Sequence, residues 1–143
     1  MCEYRDELAK VGVSTTSRWL NNHGQGERDA DTNGSAVYET GDLVRFANED
    51  IEDIRAADVF VTFTERRTAG YTSGGRHVEF GLAFAAEKRI MIVGPLENVF
   101  HELAGSHPLI EQVPDWDAAK MVLFRIAMSK LQERDELVRE TVA

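Results

Sequence analysis

The sequence predicts an α/β protein in which a parallel β-sheet carries helices on both faces. Short apolar segments that suit buried strands alternate with amphipathic helical segments along the 143 residues. Two polar, glycine-bearing loops, residues 21–41 and 65–74, each follow a predicted strand. Ligands of such sheets bind beyond the carboxyl ends of the strands, so we expect the functional site at these loops.

The first predicted elements are a helix and a strand. Residues 3–10 suit a helix because Tyr4 and Leu8, four positions apart, share one face. Gly12 ends this helix. Residues 13–20 are rich in β-branched and aromatic side chains, which predicts a strand that leads into the first long loop.

The next pair is a helix from about Asp42, where the aspartate suits an N-cap, and a buried strand over residues 58–64. The helix has one apolar and one acidic face. Its apolar stripe comprises Leu43, Phe46, Ala47, Ile51 and Ile54, and its predicted outward face comprises Glu49, Asp50, Glu52 and Asp53.

The composition of residues 75–87 predicts a helix that is apolar around most of its circumference. Such a helix is buried on more than one side. One side suits the sheet, and Phe80 and Phe84 are then expected to contact another subunit. We therefore predict a homodimer or a larger homo-oligomer.

The last predicted elements are strands at 89–94 and 109–113, followed by a helix over residues 116–131. The inward side chains of that helix are Ala119, Leu123, Ile126 and Ala127. A charged tail, residues 132–143, is expected to be solvated. Residues 1–131 are expected to form a single domain.

Charge and composition exclude several classes of function. Sixteen basic against twenty-five acidic residues give a net charge of −9, which repels duplex nucleic acid. No apolar run approaches the roughly 18 residues of a membrane span, and no secretory signal is visible. The single cysteine, Cys2, excludes an internal disulfide and a multi-cysteine metal site, so we expect a cytoplasmic protein without a bound metal or cofactor.

The most informative segment is a glycine-rich turn between a strand and a helix. Backbone N–H groups at a helix start suit an anion or a sugar hydroxyl, and Ser73, Gly75 and Arg76 lie at this turn. Glu79 follows Gly75 by one helical turn, so its carboxylate can serve the same pocket as nucleophile or acid/base. The alternative is a solvent-facing helix residue or an ion-pair partner.

This segment resembles the nucleoside 2-deoxyribosyltransferase family, especially compact members common in phage genomes. The resemblance covers most of residues 4–125. It rests on SGGRHVEFGLAFAAEKRIMIVG (residues 73–94), Ser17-Arg18-Trp19-Leu20, Ala57-Asp58 and the segment GPLENVFH (residues 94–101). It implies a flavodoxin-like fold and cleavage of an N-glycosidic bond in which Glu79 attacks C1′ of a 2′-deoxyribose. An acceptor base gives transfer, whereas water gives hydrolysis.

The resemblance also assigns substrate-binding positions. Ser73 stands where deoxynucleotide N-hydrolases carry a serine at their 5′-phosphate site, whereas transferases that use free nucleosides carry an aspartate. A hydroxyl with Gly75 amides and the Arg76 guanidinium would bind a phosphate; the alternative is that Ser73 only caps the helix.

Three further positions have two readings each. Trp19 either stacks on a nucleobase or belongs to the core. Asp58 either contacts the base or caps the loop. Asn98 either reaches a neighbouring subunit's site or forms a turn after Pro95. His77 and His101 are expected to be structural.

One departure from the family affects the expected fold and activity. Family members begin with a strand and a glycine turn before the first helix, whereas this sequence starts inside that helix. The expected flavodoxin-like sheet therefore lacks a strand between those predicted at 13–20 and 58–64. The rival interpretation is a non-catalytic nucleotide-binding module.

His77-Val78-Glu79 also matches the His-x-Glu motif of zinc deaminases, but the Pro-Cys-x-x-Cys motif that these enzymes also need is lacking.

Overall fold

The computed structural model describes residues 2–21, 40–64 and 74–142. Its helices are α1 (Cys2–Lys10), α2 (Arg18–Asn21), α3 (Thr40–Ala56), α4 (Gly75–Ala85), a 3₁₀ helix (His101–Gly105) and α5 (Trp116–Val142). Its strands are β1 (Val59–Phe63), β2 (Arg89–Val93) and β3 (Ile110–Val113). Most of the predicted loops 21–41 and 65–74 lies outside the described residues.

The three strands form one parallel sheet in the order β1-β2-β3. Val59 is opposite Arg89, and Ile90 is opposite Ile110. Parallel strands need crossover connections, and here segments containing α4 and the 3₁₀ helix provide them. The predicted α/β class and the strands predicted at 58–64, 89–94 and 109–113 are confirmed.

Helices cover both faces of this sheet. Helices α1 and α5 pack on one face, with a core of Leu8, Met91, Val93, Val113, Ala119 and Leu123. Helices α3 and α4 contribute to the other face, with a core of Ile54, Phe80, Ala83, Ile90, Ile92 and Ile110. Alternate residues of β2 enter the two cores because successive strand side chains point to opposite faces.

The strand predicted at 13–20 is wrong. Residues 13–17 have no regular structure, and α2 begins at Arg18. Asp53 on α3 explains the difference: its Oδ2 accepts a hydrogen bond from the backbone N–H of Arg18 at 2.7 Å, and its backbone carbonyl accepts one from the Thr16 hydroxyl at 3.0 Å. The first contact satisfies the backbone N–H of Arg18 without a neighbouring strand, and the second holds the Thr16 side chain against α3.

The prediction that the acidic side chains of α3 face outward is therefore wrong in part. Glu52 is exposed as expected, but Asp53 is only 8% exposed and Asp50 is half-buried. Asp53 tolerates burial because its carboxylate also pairs with the Arg18 guanidinium, with Oδ1 and Nε 3.1 Å apart.

Two expectations about helices also need correction. The last helix does not stop at Leu131, because α5 continues to Val142 through the predicted tail. Residues 132–141 are exposed, as expected. Phe80 is buried in the core and is not available to another subunit, whereas Phe84 is exposed and packs against His107.

Candidate active site

A cavity of about 690 Å³ lies between the two helical layers along β1. Within the described ranges β2 alone pairs with β1, so the other edge of this strand faces the cavity. Side chains of both layers line it, including Tyr4, Leu8, Asp50, Asp53, Glu79 and Trp116. Its volume is in the range of small-molecule sites, which are about 300–1,000 Å³.

Glu79 is half-buried on the second turn of α4, and it lines this cavity. Burial raises the pKa of its carboxyl group above the usual range, and the negative charge of Asp50 raises it further. The positive charge of Arg76 opposes both effects. Glu79 is therefore a carboxyl group whose proton affinity is raised by its surroundings, as acid/base and nucleophilic groups often are.

Asp50 and Asp53 are the residues of this site that the sequence reasoning missed. Both line the cavity from α3. Burial raises the pKa of the Asp50 carboxyl group, and the charges of Asp53 and Glu49 add to the effect. The sequence contains a pattern that indicates their position. The spacing i, i+4, i+7 of one helix face is followed by Phe46, Asp50 and Asp53, so both aspartates adjoin the apolar stripe.

Arg76 ties the start of α4 to the carboxyl end of β1. Its Nη1 donates a hydrogen bond to the Phe63 carbonyl at 2.7 Å, and its Nη2 lies 3.6 Å from the carboxylate of Glu97. A guanidinium has five N–H donors, so these two contacts leave others for a ligand. Arg76 thus fixes the helix start beside the cavity wall that carries Glu79.

Asn98 has a structural role in the segment after β2. Its Oδ1 accepts hydrogen bonds from the backbone N–H groups of Phe100 and His101 at 2.9 and 3.1 Å. Its Nδ2 contacts His77 Nδ1 at 3.3 Å. These bonds form the turn that precedes the 3₁₀ helix, as one of the two sequence readings has it.

His101 is buried beneath this turn. Its Nδ1 accepts a hydrogen bond from the backbone N–H of Glu97 at 3.3 Å, and its ring packs against Phe80. Burial lowers the pKa of the imidazole; the negative charge of Glu97 opposes this effect, whereas His77 and Arg76 add to it. An accepting Nδ1 and a lowered pKa both favour the neutral ring, which fits a structural residue.

Asp58 lies at the opposite end of β1 from Arg76. The strand between them spans about 17 Å, because five residues rise by roughly 3.3 Å each. Asp58 is exposed and forms an ion pair with Lys130 of α5 at 2.5 Å. It lines the cavity, but the structure does not bring it together with Arg76 at the carboxyl end of the strand.

The remaining predicted positions are only partly described. Gly75 is the exposed first residue of α4, and a Cβ atom there would meet nothing within 4 Å in the described part of the chain. Trp19 belongs to α2 instead of the predicted strand, and its side chain lies outside the description. Ser73 also lies outside the described residues.

The described residues contain no group of three His, Cys, Asp or Glu side chains able to hold a metal ion. No helix in those same ranges is long and apolar enough to cross a membrane. The fold and cavity together define an α/β protein with a carboxylate-lined pocket at the edge of a parallel sheet. Comparison with known proteins finds no matching family model, no matching curated protein and no matching solved structure.

Proposed function

We propose that this protein cleaves the N-glycosidic bond of 2′-deoxynucleosides or their 5′-monophosphates, as an enzyme of the nucleoside 2-deoxyribosyltransferase type. The observation that carries the proposal is the position of Glu79, a half-buried carboxyl group with a raised pKa on the wall of a 690 Å³ cavity. The sequence around Glu79 resembles the segment that contains the family's nucleophilic glutamate.

The proposed reaction has two steps. A Glu79 carboxylate oxygen forms a bond to C1′ of the deoxyribose, and the C1′–N bond breaks as its electron pair leaves with the base, which takes a proton from water. A second base or a water molecule then attacks C1′ and releases the carboxylate. Negative charge from Asp50 raises the basicity of Glu79 and stabilises positive charge that develops on the sugar.

Two forms of the substrate have support, one from residues that line the pocket and one from Arg76, which lies outside its lining. Asp50 and Asp53 can accept hydrogen bonds from sugar hydroxyls, which favours an uncharged nucleoside. Arg76 lies at the start of α4, where its remaining N–H donors would favour a 5′-phosphate. The preferred form decides between a transferase of free nucleosides and a deoxynucleoside 5′-monophosphate N-hydrolase.

We further propose a flavodoxin-like arrangement for the sheet. Its parallel order and its helices on both faces support this arrangement. The resemblance implies one further strand at the edge of β1 that no strand of the described residues pairs with. A second candidate function, a non-catalytic nucleotide-binding module, is favoured by the same observation, because a pocket that the described residues leave open along a strand excludes water poorly.

The test incubates the protein with each of the four deoxynucleosides and their 5′-monophosphates, with and without a second base, and measures the released base by chromatography. Glu79→Gln keeps the size of the side chain and removes the nucleophile, so we expect base release to fall by about three orders of magnitude. Glu102→Gln, at an exposed carboxylate of the 3₁₀ helix, is the matched control and should retain activity.

The outcomes separate the candidate functions. Release that requires Glu79 supports the enzyme, and added base in the product identifies transfer. Saturable binding of a deoxynucleotide by the folded protein without any base release identifies the binding module instead.

A further inference from the structure

Helix α5 carries a stripe of large, exposed apolar side chains outside the core that it forms with the sheet, and only Leu131 of this stripe also borders the cavity along β1. The stripe comprises Met121, Phe124, Met128, Leu131 and Val138, which are between 39% and 63% exposed. The sheet is contacted by a different set on the same helix, including Ala119 and Leu123. Helix α5 therefore has two apolar faces, and the described residues cover only one of them.

The spacing of this exposed stripe is that of a coiled-coil seam. Its members follow steps of three, four, three and then seven residues, which is a heptad pattern with a period of 3.5. Asp135 is the one polar residue in the series. A seam of this period fits another helix of the same period, because knobs from each helix then enter holes on the other along its whole length.

The length of α5 points to the same kind of partner. The helix has 27 residues, which corresponds to about 40 Å, and each of residues 132–141 is exposed. Stretches of helix without packing are marginally stable in water, and most helical stability in proteins comes from a packed apolar face. A partner helix along the stripe would supply such a face.

We propose that α5 is a self-association surface and that it packs antiparallel against α5 of a second copy of this chain. A second copy presents the same stripe, and a two-fold axis makes such a surface complementary to itself. The proposal does not depend on the proposed enzymatic activity.

Charge selects the antiparallel orientation. In a parallel pair Asp135 would face Asp135 of the second copy within the seam, which places like charges together. In an antiparallel pair that sets Met121 opposite Val138 and Met128 opposite Leu131, Asp135 lies opposite Phe124 and next to Arg125. Arg125 is exposed and carries the opposite charge.

The first test is the mass of the full chain in solution, measured by sedimentation equilibrium over a range of concentrations. We expect a dimer of twice the 16.0 kDa mass of one chain. Val138→Glu places a charge in the seam and should weaken the dimer by about tenfold or more. Leu137→Glu is the matched control, because Leu137 is as exposed as Val138 (65% and 62%) but lies outside the stripe, and it should leave the mass unchanged.

The second test is charge exchange across the seam. Arg125→Glu and Asp135→Arg should each weaken the dimer, and the double variant should restore it because the ion pair is reversed. A chain that is monomeric at every concentration overturns the proposal, as does a dimer that Val138→Glu leaves intact. A double variant no better than the single ones overturns the antiparallel arrangement. Circular dichroism of each variant confirms that the fold is retained.

Discussion

Removing the carboxylate of Asp53 should destabilise the protein because this one side chain holds the segment before α2 against α3. Asp53→Ala deletes the acceptor of the Arg18 backbone N–H at 2.7 Å and one partner of the Arg18 guanidinium. The aspartate acts as a helix-capping side chain, although it lies 35 residues away from α2 in sequence.

The expected size of the effect follows from these two contacts. Loss of a capping side chain costs about 1 kcal/mol. The ion pair is exposed on the arginine side and screened by solvent, so its loss adds little. The free energy of unfolding should therefore fall by about 1 kcal/mol, which lowers Tm by roughly 2–4 °C for a domain of this size.

The assay is urea unfolding followed by circular dichroism, with two comparison variants. Glu52→Ala removes the other carboxylate that pairs with Arg18, but both side chains of this ion pair are exposed, so the free energy of unfolding should hardly change. Asp53→Asn keeps an acceptor oxygen for the Arg18 N–H and should recover about half of the loss. Equal effects of Asp53→Ala and Glu52→Ala would refute the reasoning.

Two further stability predictions follow from the structure. Gly94→Ala should lower the free energy of unfolding by about 2 kcal/mol or more, because Gly94 has a φ of 112° and a Cβ there would lie 2.7 Å from the Thr64 carbonyl oxygen. Gly81→Ala on α4 should instead stabilise the protein by about 0.5–1 kcal/mol, because a Cβ there meets nothing within 4 Å in the described part of the chain. Thermal unfolding of both variants tests this pair, and a change of the same sign and size in both would contradict it. The pKa of Glu79 is raised on folding, so its contribution to stability is present below the unfolded value and is lost as the pH rises through the folded pKa. Glu79→Gln should therefore stabilise the protein at pH 7 and have little effect below about pH 4. Urea unfolding of the variant and the wild type at these two pH values tests the prediction. A variant that is less stable than the wild type at pH 7 would contradict it.

The strands of the sheet could be predicted because each is a short apolar run between polar residues. Residues 89–93 illustrate this, since a run of apolar side chains suits a strand buried on both faces, and β2 is central in the described sheet. The helix at residues 116–131 was predicted too short, because α5 contains no glycine or proline up to Val142 and nothing in the charged tail stops it.

The segment at residues 13–20 could not be predicted from its own composition. Its β-branched side chains favour a strand, but contacts with Asp53 on a distant helix decide its structure. Long-range contacts of this kind leave no local signal in a single sequence.

The candidate site was predictable in part. The position of Glu79 one turn after a glycine-rich helix start placed it beside the end of β1, and the structure puts it on the cavity wall. The partly buried aspartates of α3 were missed because acidic residues were assigned to the solvent, although the spacing from Phe46 placed them beside the apolar stripe.

The most direct test of the proposed function is mass spectrometry of the protein after it is mixed with its best deoxynucleoside or deoxynucleotide and quenched with acid. A covalent glycosyl–carboxylate should appear as one deoxyribosyl group on the peptide that contains Glu79, and it should be absent from Glu79→Gln. Base release that continues in Glu79→Gln without any adduct would contradict the central claim that this carboxylate is the nucleophile.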